Sequence, residues 1–137
     1  MIPTIRPARP ADIQSVLTLW IESDAEPPHT DDAEFLHALM AEDPEALVVA
    51  EDGTDIVGSV IAAWDGWRGS ILRLVVSPTH RRQGLAVRLL AHAETRLSTV
   101  GAVRLQAIVV ETDPVAVGFW TATGWEQQVE RLRFVNG

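Results

Sequence analysis

The chain has no cysteine, no tyrosine and no lysine among its 137 residues. Without cysteine there is no disulfide, no thiolate zinc site and no cysteine nucleophile, a composition compatible with a reducing compartment. Without tyrosine no phenol is available to donate a proton. All eleven basic residues are therefore arginines. No apolar run approaches the ~18 residues that a membrane helix needs. The opening residues Met1 to Arg6 lack the long apolar stretch of a signal peptide. These absences lead us to expect a soluble, cytoplasmic protein that engages no membrane.

The length suggests one domain, 1–137, and 47% hydrophobic residues are enough for a proper core. The four histidines, His29, His37, His80 and His92, show no paired metal spacing, so no metal site is expected. The net charge of −8 argues against nucleic acid as the main partner. Its distribution is uneven. Residues 1–65 carry two arginines against fourteen acids, a balance of −12. Residues 66–110 carry seven arginines against Glu94 alone, a balance of +6. An acidic first half is thus joined to a basic middle.

Hydrophobic periodicity gives the order β-α-α-β-β-β-α-β-α-β. Ile2 to Arg6 reads as a strand, and Pro10, Ala11 and Asp12 open a helix with Ile13, Val16, Leu17 and Trp20 on one face. Residues 23–30, with Pro27 and Pro28, read as a loop. Asp31 and Glu34 resemble a capping box for a helix that buries Phe35, Leu36, Leu39 and Met40. Strands are expected at 46–51 and 56–64, joined through Asp52-Gly53, and at 70–76. A helix over 83–97, a strand over 103–110 and a helix opened by Asp113 and Pro114 follow, with Gly124 past its end. A last strand is expected over 131–135. Strands alternate with helices only in the second half, which points to an α/β fold with a mixed sheet and helices on both faces.

The chemistry concentrates between Leu72 and Leu90. A buried strand ends at Pro78, and a helix starts within the cluster Arg81-Arg82-Gln83-Gly84-Leu85-Ala86. The first N–H groups of a helix lack internal partners, and the helix dipole adds partial positive charge, so such a terminus attracts anions. Gly84 has no Cβ, which lets phosphate oxygens approach the main chain. Two other phosphate loops are excluded: there is no Gly-Lys-Ser/Thr run and no Gly-x-Gly-x-x-Gly fingerprint.

Arg81-x-x-Gly84-x-Ala86 instead resembles the pyrophosphate loop of the GNAT superfamily of N-acetyltransferases, Arg/Gln-x-x-Gly-x-Gly/Ala. The strand before it, Leu72 to Pro78, is similar to the family's Leu-x-Val-x-Pro. Asp113 to Trp125, with Ala116, Phe119, Trp120 and Gly124 in register, is similar to Asn-x-x-Ala-x-x-Phe-Tyr-x-x-x-Gly-Phe. Ile5-Arg6-Pro7-Ala8 running into Ala11-Asp12 is also typical of the family. The likeness spans nearly the whole chain and is strongest from Gly58 to Trp125.

The resemblance implies a central, mostly antiparallel, twisted sheet splayed in the middle, with acetyl-CoA as cosubstrate. Main-chain groups of Leu74, Val75 and Val76 would pair with the pantetheine arm. Arg81, Arg82, Gln83, Gly84, Leu85, Ala86 and Val87 would cradle the pyrophosphate, surrounded by the +6 segment. Asp113, Phe119 and Trp120 would face the same cofactor. The implied reaction moves an acetyl group to a primary amine of a small molecule or peptide by direct attack on the thioester, and a homodimer is left open. The oxyanion donor is expected to be a backbone N–H near Val76.

One position departs from the family. The tyrosine that usually protonates the leaving thiolate is replaced by Trp120, whose indole cannot supply a proton at neutral pH. A non-catalytic acyl-CoA-binding sensor with the same fold is therefore the competing reading. Glu111 is the first candidate base and Asp65 the second, with Glu22 and His80 behind them. Asp113 serves equally well as a helix N-cap. Trp20, Trp64, Trp67 and the Pro27-Pro28-His29 loop are candidates for the wall of the acceptor pocket, and the acidic first half favours a cationic acceptor.

Overall fold

A computed structural model describes residues 2–23, 32–109, 114–129 and 132–136. They fall into two units, residues 1–107 and 108–137.

The first unit is built on five strands in sequential order, β1 (Thr4–Pro7), β2 (Leu47–Asp52), β3 (Asp55–Trp64), β4 (Gly69–Val76) and β5 (Leu105–Ala107). The β1–β2, β2–β3 and β3–β4 pairs are antiparallel and β4–β5 is parallel, so the sheet is mixed and mostly antiparallel. The β2–β3 turn leaves Gly53 and Thr54 between Asp52 and Asp55, with Gly53 at φ 64°.

Helices cover both faces. On one face, α1 (Ile13–Glu22) and α2 (Ala33–Glu42) bury Ile13, Val16, Leu19, Trp20, Leu36 and Met40 against Leu47, Val49 and Ile61. Strand alternation turns Val48, Ala50, Val60 and Ala62 to the other face. There α3 (Leu85–Thr99) lays down Leu85, Leu89, Leu90, Ala93 and Leu97, all buried. Two glycines make this approach possible. A Cβ on Gly58 would stand 2.9 Å from Leu89 Cδ1, and one on Gly69 would stand 2.8 Å from Leu97 Cδ1.

Some boundaries differ from the sequence expectations. Asp32, not Asp31, caps α2, its Oδ1 accepting from Phe35 N–H at 3.0 Å. Asp31 lies outside the described residues. Phe35 is about half exposed, whereas Leu36 and Met40 go inward. Helix α3 begins at Leu85 rather than Gln83, because Gly84 adopts a left-handed conformation that cannot belong to a right-handed helix. The strand expected over 103–110 is confined to Leu105–Ala107, with Val103 exposed and residue 110 outside the described residues.

The second unit contains α4 (Pro114–Ala122), closed by a Schellman motif in which Trp125 N–H donates to Trp120 O and Gly124 N–H to Thr121 O. Gly124 takes φ 89°, the left-handed position such a cap requires. The final strand expected over 131–135 is not formed among described residues 132–136. Leu132, Phe134 and Val135 are exposed there, and an alternating pattern makes a strand only where a neighbour completes the ladder.

Arg6 ties β1 to its surroundings, bonding Asp12 at 2.8 Å and Glu51 at 3.0 Å in a largely desolvated position. Hydrogen bonding from Arg6 holds the Asp12 carboxyl below its usual range. A depressed carboxylate contributes stability above its unfolded pKa, near 3.8, and loses it as pH falls through the lower folded value. Asp12→Asn should therefore flatten the acid limb of a melting-temperature–pH profile below about pH 4. Thermal melts between pH 2 and pH 7 check this, and an unchanged acid limb would contradict the assignment.

Candidate active site

Strand β4 changes phase along its length. Gly69 N–H bonds the Arg104 carbonyl on the β5 side at 3.1 Å, whereas Ser77 N–H bonds the Val57 carbonyl on the β3 side at 2.8 Å. An even number of residues separates them, so a regular strand would turn both the same way. The inversion lies at Arg73–Leu74. Leu72 pairs with Ile61 and Val75 with Ser59, which leaves two residues of β4 opposite Val60 alone, a β-bulge. Arg73 sits there at φ 51°. A left-handed conformation costs a non-glycine residue roughly 1–2 kcal/mol, so something must hold it.

The restraint is a buried serine. Ser59 is fully buried, and its hydroxyl donates to the Arg73 carbonyl at 2.9 Å while accepting from Trp20 Nε1 at 2.8 Å. The Arg73 guanidinium lies 4.9 Å over the Trp20 ring. An unmet buried hydroxyl would cost about 1–3 kcal/mol, and both capacities of this one are used. The sequence carried a sign that was not read: Ser59 is the one hydroxyl in the apolar run Ile56–Ala63.

Beyond the bulge, Ser77 and Val57 form a hydrogen-bonded pair, so the adjacent Val76–Gly58 pair does not. The Val76 N–H and C=O consequently point away from β3. On that side β5 pairs only with Gly69–Ile71. Among the described residues no strand pairs with Leu72–Val76 there, so the sheet edge opens along Leu74, Val75 and Val76.

After β4 the chain makes a short 3-10 turn, Pro78–His80, anchored by side chains. His80 Nε2 lies 2.8 Å from Asp52 Oδ2, and His80 Nδ1 lies 2.7 Å from Thr79 Oγ1, itself 3.0 Å from Ser77 Oγ. His80 is thus engaged as a tether to the β2–β3 hairpin. Arg82 then adopts φ 64° and Gly84 φ 76°. Two left-handed residues, Arg82 and Gly84, thus shape the loop that leads into α3.

Gly84 is the N-cap of α3 and offers no side-chain acceptor. The first helical bond runs from Arg88 N–H to Gly84 O at 3.1 Å. Among the described residues no acceptor meets the N–H groups of Leu85, Ala86 and Val87. Buried Leu85 fixes the turn, while Arg81, Arg82, Gln83 and Gly84 are exposed and Ala86 is half-buried. A Cβ on Gly84 would meet nothing within 4 Å, so the space above the loop is open.

The basic middle segment is less concentrated than its net charge suggests. Arg81 and Arg82 stand at the loop, exposed. Arg96 is committed to Asp43 and the Ala62 carbonyl, and Arg88 bonds the Pro3 carbonyl. Arg68 stacks on Trp67 beside the opposite end of β4. The +6 segment therefore does not form one patch, because the fold uses part of it for internal bonds.

The candidate bases separate. Asp65 Oδ1 accepts from Trp67 N–H at 2.7 Å and Arg68 N–H at 2.6 Å, making it the organiser of the β3–β4 turn. Those bonds, the one from Arg68 first, hold its carboxyl below the usual range, which weakens it as a base. The turn also precedes Gly69, so the full length of β4, roughly 23 Å, separates it from the loop end. Glu111 and Asp113 lie outside the described residues. Glu22 is exposed at the end of α1. In the second unit, Phe119 and Trp120 meet edge to face at 5.6 Å, and Trp120 meets Trp125 at 4.7 Å. Among the described residues no group of three or more His, Asp or Glu comes together as a metal site, and no helix is long and apolar enough to cross a membrane.

A strand whose far half has no ladder partner on its β5 side among the described residues, leading through a glycine-capped turn into α3, marks the candidate site of this α/β protein. Residues 13–125 match the model of the Acetyltransferase (GNAT) family. An acetyltransferase of Pectobacterium atrosepticum is 33% identical over 122 residues, 89% of this chain and 86% of the relative. Among solved structures, Ard1 from Thermoplasma volcanium superposes with TM-score 0.80 at 22% identity, covering 90% of this chain and 82% of that one. An aminoglycoside N-acetyltransferase solved in complex with CoA superposes with TM-score 0.75 at 18% identity, covering 98% and 94%. The chain belongs to the GNAT acetyltransferase family, and is an enzyme of that class.

Proposed function

We propose that the protein transfers the acetyl group of acetyl-CoA to a primary amine, and that 1–137 acts as one acetyltransferase domain. The observation that carries this reading is the set of unmet N–H groups of Leu85, Ala86 and Val87 beneath the open space at Gly84. A pyrophosphate is the anion they suit, with Arg81 and Arg82 contributing charge and Gln83 a further donor. The open edge of Leu74, Val75 and Val76 suits the amides of a pantetheine arm, which would add to the sheet as a strand does. A family match that runs across both units supports the single-domain reading.

In the reaction the neutral amine attacks the thioester carbonyl, a C–N bond forms and the C–S bond breaks. The carbonyl oxygen gathers negative charge in between, and Val76 N–H is the donor we assign to it. The thiolate leaves with the bond's electron pair, and the ammonium proton passes to a base, for which Glu111 is our assignment. Asp65 is left to its turn. A thiol with pKa near 8.5 can depart without a dedicated acid, so the absence of tyrosine does not block turnover. Asp113, Phe119 and Trp120 remain assigned to the cofactor side. The acceptor class we favour is cationic: a small free amine, a lysine side chain or a peptide N-terminus, in keeping with the −12 balance of residues 1–65.

A thiol-release assay with acetyl-CoA and a panel of such amines tests the reading. Release dependent on both substrates is expected. Saturable CoA binding with no release across the panel would favour the sensor reading instead. Trp120→Phe should change turnover by less than about tenfold, since indole is assigned no proton transfer; a thousandfold loss would contradict that role.

A further inference from the structure

Ser59 is the one buried polar residue among the described residues. Its hydroxyl joins Trp20 of α1 to the carbonyl of Arg73 in the β4 bulge. The bulge is what decides where the Val76 amide points. Ahead of it, Leu72 pairs with Ile61 and Gly69 reaches toward β5; beyond it, Ser77 reaches toward β3. Were β4 regular from Leu72 onward, Val76 would stand opposite Val57 and turn its N–H into the sheet. With two residues opposite Val60, Val76 instead stands opposite Gly58 and its N–H faces the open edge.

We propose that Ser59 and Trp20 are positioning residues for acetyl transfer. By holding the Arg73 carbonyl they keep the bulge in place, and the bulge delivers the Val76 N–H to the thioester carbonyl. The inference rests on the acetyltransferase reading and adds to it a buried relay that reaches the transfer step from the core. Neither side chain touches substrate. A bulge interrupts the ladder locally, and here the Arg73 carbonyl accepts from a hydroxyl that itself accepts from an indole N–H. The same link joins the end of α1 to the β4 bulge in one hydrogen-bonded chain.

The test uses the full chain with acetyl-CoA carrying carbon-13 at the acetyl carbonyl. Two variants, Ser59→Ala and Trp20→Phe, each remove one bond of the relay, and a third, Ser59→Ala with Arg73→Gly, relieves the left-handed strain that the relay offsets. In the wild type the carbonyl resonance should move downfield on binding, as hydrogen bonding polarises the carbonyl. In both single variants that shift should shrink and kcat should fall about tenfold to a hundredfold, up to the loss expected for an oxyanion donor. The dissociation constant for CoA should stay within about threefold, because the loop at Gly84 is untouched. The double variant should regain part of the shift and of kcat.

Wild-type shift and kcat in folded Ser59→Ala or Trp20→Phe would overturn the proposal. Parallel loss of CoA affinity and kcat would also overturn it, by assigning the relay to general stability. If Ser59→Ala does not fold, Trp20→Phe, which keeps an aromatic ring in place, decides alone. If the wild type itself binds no CoA, the acetyltransferase reading fails, and that outcome is distinct from a failure of the relay.

Discussion

Gly84→Glu abolishes measurable acetyl-CoA binding while the free protein keeps its fold. The expectation follows from the conformation at the start of α3. Gly84 takes φ 76° with open space where a Cβ would go, so a side chain fits sterically and projects into the region above the free amides. A carboxylate there would repel a pyrophosphate and take up the N–H groups meant for it. The left-handed conformation costs the new residue roughly 1–2 kcal/mol, a few degrees of melting temperature for a chain of this size. At a hundred times its dissociation constant a ligand adds about 2.7 kcal/mol, so its loss is readable as a vanished thermal shift. Gly84→Ala separates the two causes, carrying the same backbone strain without the carboxylate. It should still bind acetyl-CoA, more weakly. Normal binding by Gly84→Glu would place the cofactor elsewhere on the molecule.

Val76→Pro lowers kcat by about a hundredfold to a thousandfold with little change in CoA affinity. Proline removes the N–H, fixes φ at about −65° and puts its Cδ where the hydrogen was. At most positions in a central strand this would break the ladder, but the Val76–Gly58 pair is not hydrogen-bonded and the Val76 amide faces the open edge. The preceding Val75 is in a strand, the conformation a residue before proline prefers. The fold should therefore tolerate the change. Loss of one preorganised oxyanion donor typically costs a factor of 10²–10³ in kcat, which sets the magnitude. Steady-state kinetics with the best amine of the panel, alongside calorimetric CoA binding, provides the check. An unchanged kcat would remove Val76 from the transfer step.

These two variants probe features of different legibility. The loop was visible in the sequence because its residues act through what they lack or carry locally. Gly84 lacks a Cβ, and Arg81 and Arg82 carry full charge beside a helix start, while the left-handed conformation that puts Gly84 outside the helix came only with the structure. Helix faces were legible for the same local reason, since Ile13, Val16 and Trp20, or Leu85, Leu89, Ala93 and Leu97, recur at helical spacing and are all buried. Errors arose where a neighbour decides. Phe35 fits the apolar face of α2 by spacing, yet the side that packs inward runs through Leu36 and Met40 and leaves it half exposed. Residues 132–135 alternate as a strand would, and without a ladder partner among the described residues they do not form one. Asp65, the second candidate base by sequence, accepts from two backbone N–H groups of its turn, a commitment that only the folded turn reveals.

The amino-acid sequence by itself determined the helix faces and the place where a strand feeds a glycine-bearing helix start, because these depend on residues close together in the chain, and it determined the class of enzyme through motif blocks matched in order along its length. Only the tertiary structure decided which way the amides of β4 face beyond its bulge. That direction depends on one extra residue at Arg73, and the extra residue is held by Ser59 and Trp20, 14 and 53 positions away in the chain. A hydrogen-bond ladder has a period of two, so a single inserted residue reverses every amide beyond it, and no local pattern around Val76 records that reversal.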